Sequence, residues 1–409
     1  MKNRLIKNTF SLTFIQVANY IVPLIVLVHL ARVLGPDVYG ILAFGQAIIV
    51  MSNILTDFGY SLSATNKIAE TREDSEYVSG LIGGIYVVKI FLFLICAAGL
   101  TIFSFINTSF DEHALFLYLT LIPIFVQSFF PLWFFQGIER MHYLALILVI
   151  VKVIYVLTII IYVQSPVDYI LVPILYGVSQ LVGVTLSIFM IYKLGYRLII
   201  PSLNLVRFCY KFSKEFFFSR IGVMIYMNSS VLVLGLVANP STVAIYSIAE
   251  QLYKAMQSAI SPLSAALYPF MSKEKEIKLM LKLINYCIIV VAFGAFIGYF
   301  IAPIIIDLLF DDSWKDSINI LNIFFIAVII HAAAVMTGYP LAAALGRIDV
   351  ANSSVLTGAI VYSILISVLL YLNQITPINL ALLMIISEVC VLIHRSGVLI
   401  PLAKERVNQ

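Results

Sequence analysis

Tyr246-Ser-Ile-Ala-Glu-Gln-Leu-Tyr-Lys-Ala-Met256 places Glu250 and Lys254 four residues apart in a chain that otherwise suits lipid. A charged side chain at the bilayer centre costs roughly 3 kcal/mol or more. These charges are therefore either outside the membrane or needed inside it. The pattern continues beyond the pair. Tyr246, Glu250, Tyr253/Lys254, Gln257, Ser261, Ser264 and Tyr268 recur at intervals of three and four, which keeps them on one helical face. Ile248, Leu252, Ala255, Ala259 and Ala266 occupy the opposite face. A lipid-embedded helix with one wet face implies a protein with a polar interior.

The whole chain is built for such a setting. Of 409 residues, 62% are hydrophobic and only 11% charged, with a mean hydropathy of +1.04. Ordinary globular domains carry about 25% charged residues, so the chain reads as an all-α polytopic membrane protein. Apolar runs of about 20 residues predict twelve transmembrane helices, at 10–33, 38–60, 79–105, 113–136, 142–163, 168–192, 214–237, 243–268, 283–308, 316–343, 348–372 and 376–400. Short turns such as Gly35-Pro36-Asp37 and Asn239-Pro240-Ser241 join them. The longest connection, 193–213, divides an N-terminal six-helix bundle (1–192) from a C-terminal one (214–409). The run after Met1-Lys-Asn-Arg-Leu-Ile-Lys7 is too long for a cleaved signal and reads as a retained span. Cys96, Cys209, Cys287 and Cys390 show no pairing or metal-binding spacing.

Orientation follows from the basic residues. Nineteen of the 25 Lys and Arg fall on the side shared by the N-terminus, five of them in the central connection (Lys193, Arg197, Arg207, Lys211, Lys214). The opposite side holds only Arg32 and Lys315, with eight acids: Asp37, Asp111, Glu112, Asp168, Asp307, Asp311, Asp312 and Asp316. Both termini are expected in the cytoplasm. The net charge of +4 reflects this topology and gives no indication of nucleic-acid binding.

Four basic residues remain inside spans: Lys89, Lys152, Arg220 and Lys254. Lys89, Lys152 and Lys254 are placed near the midplane by their distance into each run, and Arg220 nearer the cytoplasmic end. Asp57, Glu250 and Glu388 are the in-span acids. Polar stripes also mark the first span (Thr9, Thr13, Gln16, Asn19), the second (Gln46, Asn53, Asp57) and the seventh (Ser213, Arg220, Asn228). The ninth, Tyr286-Cys-Ile-Ile-Val-Val-Ala-Phe-Gly-Ala-Phe-Ile297, has almost none. Spans one, two, seven and eight are thus the expected cavity helices.

These four correspond in pairs. A shift of 205 residues lays Val38-Tyr-Gly-Ile-Leu-Ala-Phe-Gly-Gln46 over Val243-Ala-Ile-Tyr-Ser-Ile-Ala-Glu-Gln251. Gly137-Ile-Glu-Arg-Met-His142 and Gly346-Arg-Ile-Asp-Val-Ala351 form a looser second echo. Two repeats of six spans insert the same way up, related by pseudo-two-fold symmetry about the membrane normal. A site between the halves and alternating access are the usual consequences. In this alignment Gln251 matches Gln46, whereas Glu250 and Lys254 match Gly45 and Ile49, so the charges belong to one half only.

Leu34-Gly-Pro-Asp-Val-Tyr-Gly-Ile-Leu-Ala-Phe-Gly45, Asp57-Phe-Gly59 and Pro131-Leu-Trp-Phe-Phe-Gln-Gly-Ile-Glu-Arg-Met141 resemble bacterial O-antigen flippases, the Wzx-type polysaccharide branch of the multidrug/oligosaccharidyl-lipid/polysaccharide (MOP) exporter superfamily. The resemblance implies two six-helix bundles in a MATE-like V around a cationic cavity, in the bacterial inner membrane. It further implies passage of an undecaprenyl-pyrophosphate-linked oligosaccharide from the cytoplasmic to the periplasmic leaflet, with polymerase and chain-length proteins of the same pathway as candidate partners. Related lipid II flippases carry arginines in the first span, where this chain has Gln16 and Asn19.

The residues make the same demand. A pyrophosphate entering a membrane cavity loses hydration that fixed cations replace. Lys254, Arg220, Lys152 and Lys89 are the candidate anion-attracting groups. Asn19, Gln46, Asn53, Asn228, Gln251 and Gln257 suit sugar hydroxyls. Asp57, Glu250 and Glu388 have two readings, as charge partners, Glu250 for Lys254 through the i,i+4 relation, or as ion-coupling groups. His29 and His331 read as solitary interior histidines, and His394-Arg395 as an interface anchor. No metal site, cofactor, phosphate-binding loop or catalytic residue is expected. A cation-coupled multidrug antiporter of the same superfamily is the main alternative. A membrane polysaccharide polymerase or ligase fits less well, because no external connection is long enough to carry its site.

Overall fold

The computed structural model describes residues 2–408, with all of their side chains except those of 2–22, 108–110, 219, 220, 223, 225 and 408. The described chain is helical throughout. Its helices are α1 (Lys2–Asp57), α2 (Tyr60–Thr71), α3 (Ser75–Ile106), α4 (Ala114–Leu119), α5 (Leu121–Ser128), α6 (Leu132–Gly137), α7 (Met141–Tyr162), α8 (Leu171–Lys193), α9 (Leu203–Val237), α10 (Pro240–Glu274), α11 (Ile277–Leu309), α12 (Ser317–Thr337), α13 (Tyr339–Leu345), α14 (Ile348–Tyr371) and α15 (Pro377–Asn408). Nine segments among the described residues are long and apolar enough to cross a membrane.

The helix breaks fall where the chemistry asks for them. Within α1, Gly35 has φ 68° and ψ 171°, a conformation that costs an L side chain strain, and it separates the first two predicted spans. The nine therefore include one 49-residue segment, Pro23–Thr71, that holds this kink. The predicted span 113–136 is not one rod. It is built from α4, α5 and α6, the last break falling at Pro131, which lacks an N–H and disfavours helix in the residue before it. The tenth predicted span breaks likewise at Gly338, between α12 and α13. Helix starts carry their caps: Asp74 accepts from Tyr77 N at 2.9 Å ahead of α3, and Asn239 from Thr242 N at 2.9 Å ahead of α10, where Pro240 takes the first position.

The chain forms two compact units, Met1–Met224 and Ile225–Gln409. In the first, α8 packs on α5 and α7, and α6 packs on α2. The Pro131–Gly137 stretch supplies the centre of its core: Trp133, Phe134 and Phe135 are fully buried beside Ile68, Ile82 and Ile85. Thr65 Oγ1 donates to Trp133 O at 3.3 Å. The early part of α9 also belongs to this unit. Ser213, expected on a wet stripe, is buried and donates to Phe58 O at 2.6 Å, and Tyr60 donates to Cys209 O at 3.2 Å. Burial pushes the Cys209 thiol up to about 12, which makes it an inert packing group.

In the second unit, α12 packs on α10, α11 and α15, while α14 packs on α15. Tyr253 stacks on Phe324 at 4.7 Å between ring centroids. α11, read as nearly free of polar residues, exposes Ile289, Phe293, Phe296, Phe300 and Ile304, the surface expected of a lipid-facing helix.

Candidate functional site

Each unit holds its own polar constellation. In the first, Lys89 of α3 lies 3.7 Å from Asp57, with side-chain exposures of 4% and 32%. Asp57 ends α1, just before Phe58 and Gly59 take positive φ, so its carboxylate sits at a break in the helix. The Lys89 amine also lies 5.8 Å from the centre of the Tyr60 ring. Nearby, Asn53 Nδ2 donates to Gln127 Oε1 at 2.7 Å, and Tyr176 OH donates to the same oxygen at 3.3 Å. Gln46 is half-buried on α1, and Lys152 half-buried on α7.

The second unit explains the Tyr246–Met256 stretch. Lys254 Nζ donates to Glu250 Oε2 at 2.8 Å, across one helical turn. The two ends of the pair differ: Glu250 is 3% exposed and Lys254 36%. The other oxygen, Glu250 Oε1, is buried without a hydrogen-bond partner among the described residues. The polar face of α10 is thus split. Tyr246, Glu250 and Tyr253 point into the bundle, while Gln251, Lys254, Gln257 and Ser258 stay half-exposed beside them.

One turn further, Gln257, His331 and Glu388 meet. His331 Nδ1 lies 3.0 Å from Glu388 Oε1 and 3.2 Å from the Gln257 side-chain amide. The reading of His331 as solitary is corrected: α12 places it between α10 and α15. A single ring nitrogen carries one hydrogen or one lone pair, so His331 Nδ1 cannot donate to the carboxylate while accepting from the amide. The orientation of the Gln257 amide therefore follows the position of that one proton. His29, by contrast, fits its reading, with Nε2 2.9 Å from Val163 O.

Arg395 departs from expectation too. Instead of anchoring at the interface it is 6% exposed, donating through Nε to Ser354 Oγ at 2.7 Å and through Nη1 to Ala334 O. It thereby joins α15 to α14 and α12, within electrostatic reach of Glu388. Ser229 and Ser230 of α9 bond the Tyr362 hydroxyl at 3.1 and 2.9 Å. Asn228 is half-buried on α9. The side chains of Asn19 and Arg220 lie outside the described residues. Gln127, Tyr176, His331 and Arg395 are the polar participants that the reading of stripes did not select. Tyr176, with Ser179 and Gln180 at i+3 and i+4, and Arg395, seven residues after Glu388, carried a helical spacing that could have found them.

The sequence of this helical chain matches a known family. The family model described as "Polysaccharide biosynthesis protein" covers residues 5–275. The chain belongs to the polysaccharide biosynthesis protein family. Two relatives are each named "Putative O-antigen transporter". One, from Escherichia coli (strain K12), is 25% identical over 268 residues, 65% of this chain and 64% of its own length. The other, from Shigella dysenteriae, is 25% identical over 296 residues, 71% of this chain and 74% of its own. The chain therefore aligns with just under two thirds of the first relative's length.

For this polysaccharide biosynthesis protein the solved structures extend the likeness to nearly the whole chain. An inward-facing MATE multidrug transporter of the MOP superfamily superposes with a TM-score of 0.71 at 13% identity, covering 94% of this chain and 95% of that one. The lipid II flippase MurJ in an inward closed conformation also gives 0.71 at 13% identity, covering 94% and 87%. At such identities the likeness speaks for the fold, which is that of the MOP superfamily.

Proposed function

We propose that this protein is a flippase that carries a prenyl-pyrophosphate-linked oligosaccharide, an O-antigen or similar surface-polysaccharide repeat unit, across the bacterial inner membrane. The observation that carries this reading is the family match over residues 5–275 on a chain with the fold of MOP transporters. The chemistry supports it. The transported pyrophosphate, esterified at both ends, is a dianion, and hydroxyl-rich sugars follow it; Lys, Asn and Gln on membrane helices answer both. In this reading the two bundles, 1–192 and 214–409, alternate access around the site, both termini are cytoplasmic, and the prenyl tail stays in lipid. Lys254 and Arg220 are the leading phosphate-binding groups, with Lys152 and Lys89 behind them. Asn19, Gln46, Asn53, Asn228, Gln251 and Gln257 meet the sugar.

Glu250 and Glu388 carry the coupling in this account. Glu250 holds Lys254 in the resting protein and releases it when phosphate arrives, and the Glu388–His331 pair exchanges the single proton they share. Asp57 is assigned to Lys89 as its counter-charge. A second reading, a cation-coupled multidrug antiporter, draws on the buried Glu250 Oε1, an acceptor that suits a cationic substrate. Complementation separates the two. A Lys254→Ala, Arg220→Ala double variant should reach the membrane at normal levels yet fail to restore surface polymer in a flippase-null strain. Full restoration by that variant would overturn the assignment of those two cations. Drug resistance conferred by the wild-type chain, without polymer, would favour the antiporter.

A further inference from the structure

α9 begins with Leu203-Asn-Leu-Val-Arg-Phe-Cys-Tyr-Lys-Phe-Ser-Lys214, a basic segment that the transport reading leaves without a task. Arg207, Lys211 and Lys214 are four and three residues apart, so they project from one side of the helix. All three are exposed, and none forms an ion pair among the described residues. Beside them a crevice of about 500 Å³ opens between α9 and α3, with Tyr210 on the α9 side and Val87 and Phe91 on the other wall. Val87 and Phe91 are 41% and 61% exposed. The crevice is thus basic along one edge and apolar along the other.

Helix lengths give its depth. α3 has 32 residues and α9 has 35, about 48 and 52 Å at 1.5 Å per residue, whereas a hydrocarbon core is about 30 Å thick. Both helices end at polar turns, after Ile106 and Val237. Measured back from those ends, Phe91 and Val87 lie about 22 and 28 Å along α3, just inside the near edge of the hydrocarbon. α9 runs alongside α3, with Gly80 against Leu205 and Gly84 against Cys209. Arg207, Lys211 and Lys214 thus lie level with Ile82, Tyr86 and Lys89, about 36, 30 and 26 Å from the end of α3 and across the edge of the hydrocarbon. The cations and the apolar wall therefore meet where a phospholipid changes from phosphate to acyl chain.

We propose that this crevice binds an anionic phospholipid of the surrounding leaflet. Its phosphate lies on Arg207, Lys211 and Lys214, Tyr210 offers its hydroxyl to the glycerol region, and one acyl chain runs along Val87 and Phe91. Charge complementarity selects an anionic over a zwitterionic headgroup. Among the described residues, Tyr210 is the only uncharged hydrogen-bonding side chain on the crevice wall, which suits a small headgroup better than an oligosaccharide. Each basic residue near a membrane surface strengthens attraction to anionic lipid by roughly fivefold. The inference stands apart from the transport reading, since it concerns a resident lipid and not the cargo.

Native mass spectrometry of the purified full-length protein tests it, with phosphatidylglycerol and phosphatidylcholine titrated separately. Wild type should retain phosphatidylglycerol in preference to phosphatidylcholine, and the preference should fall as salt rises. An Arg207→Gln, Lys211→Gln, Lys214→Gln variant should lose affinity for phosphatidylglycerol by on the order of 100-fold, with phosphatidylcholine unchanged. A Lys211→Arg, Lys214→Arg variant should keep it, and Lys278→Gln, Lys282→Gln should match wild type. Phe91→Ala should weaken long-chain but not dihexanoyl phosphatidylglycerol. A triple variant that melts like wild type and still prefers phosphatidylglycerol would overturn the proposal. So would undecaprenyl phosphate displacing phosphatidylglycerol from the same three cations, which would give the crevice to the prenyl lipid.

Discussion

Asp57 and Lys89 show why a buried charge is not automatically a binding group. Lys89 is 4% exposed and its nearest carboxylate is 3.7 Å away, so removing either partner has unequal effects. Asp57→Asn leaves a buried ammonium without its counter-charge. It should cost about 2 kcal/mol, below the 3–5 kcal/mol of a fully enclosed pair because Asp57 is a third exposed. Lys89→Met replaces the amine with an apolar group of similar volume and should be close to neutral. The double variant should recover most of the Asp57→Asn loss, read as melting temperature in detergent. A double variant that stays folded but does not transport would support the place given to Lys89 among the phosphate-binding groups, and one that transports normally would remove it. The Glu250–Lys254 pair was legible in the sequence because its i,i+4 spacing is local. His331–Glu388 and Arg395–Ser354 were not, since their partners are 57 and 41 residues apart and only packing of α12, α14 and α15 brings them together.

At the scale of the element, helix breaks were the more readable feature and helix packing the less readable one. Gly35-Pro36 marks the kink of α1 by backbone chemistry alone, whereas Pro131 ends α5–α6 continuity in a run that hydropathy reads as a single span. The family-like Trp133-Phe-Phe135 motif proves to be core, and Trp133→Ala should cost about 3–5 kcal/mol. α3 offers an internal comparison. A Cβ on Gly83 would run into the carbonyl oxygen of Ile199, so Gly83→Ala forces the 194–202 segment away and should cost about 3 kcal/mol. Gly99, on the same helix, has nothing within 4 Å, and Gly99→Ala should be neutral or slightly stabilising through helix propensity. Thermal melts of the two variants side by side check this. Equal effects would contradict the packing described for α3. The polar residues of α10 were read as one continuous face, whereas Tyr246, Glu250 and Tyr253 are buried and Gln251, Lys254 and Gln257 half-exposed. Period places residues on a face, but packing against Phe324 encloses Tyr246 and Tyr253 while Lys254 stays half-exposed.

For the whole molecule, composition and apolar runs sufficed for the class, and the MOP fold follows from the solved structures it resembles. The chemistry of the cargo is harder to read from the chain, because four of the seven in-span charges face one another in pairs, Asp57 with Lys89 and Glu250 with Lys254. In the flippase reading a paired lysine attracts an anion only if its pair opens, which makes Glu250 a prediction in its own right. Glu250→Gln frees Lys254 at rest. It should tighten binding of a prenyl pyrophosphate headgroup while slowing its release, lowering transport at saturating substrate; weaker binding with faster transport would count against the exchange. The central claim is tested most directly by reconstituting the purified full-length protein in liposomes that carry a fluorescent undecaprenyl-pyrophosphate-linked oligosaccharide, then adding a membrane-impermeant quencher. The account predicts that protein-containing vesicles lose nearly all fluorescence as the inner-leaflet half is brought out, while protein-free vesicles lose about half. Quenching that stops at half in both, with the protein folded and a lipophilic cation moved instead, would contradict it.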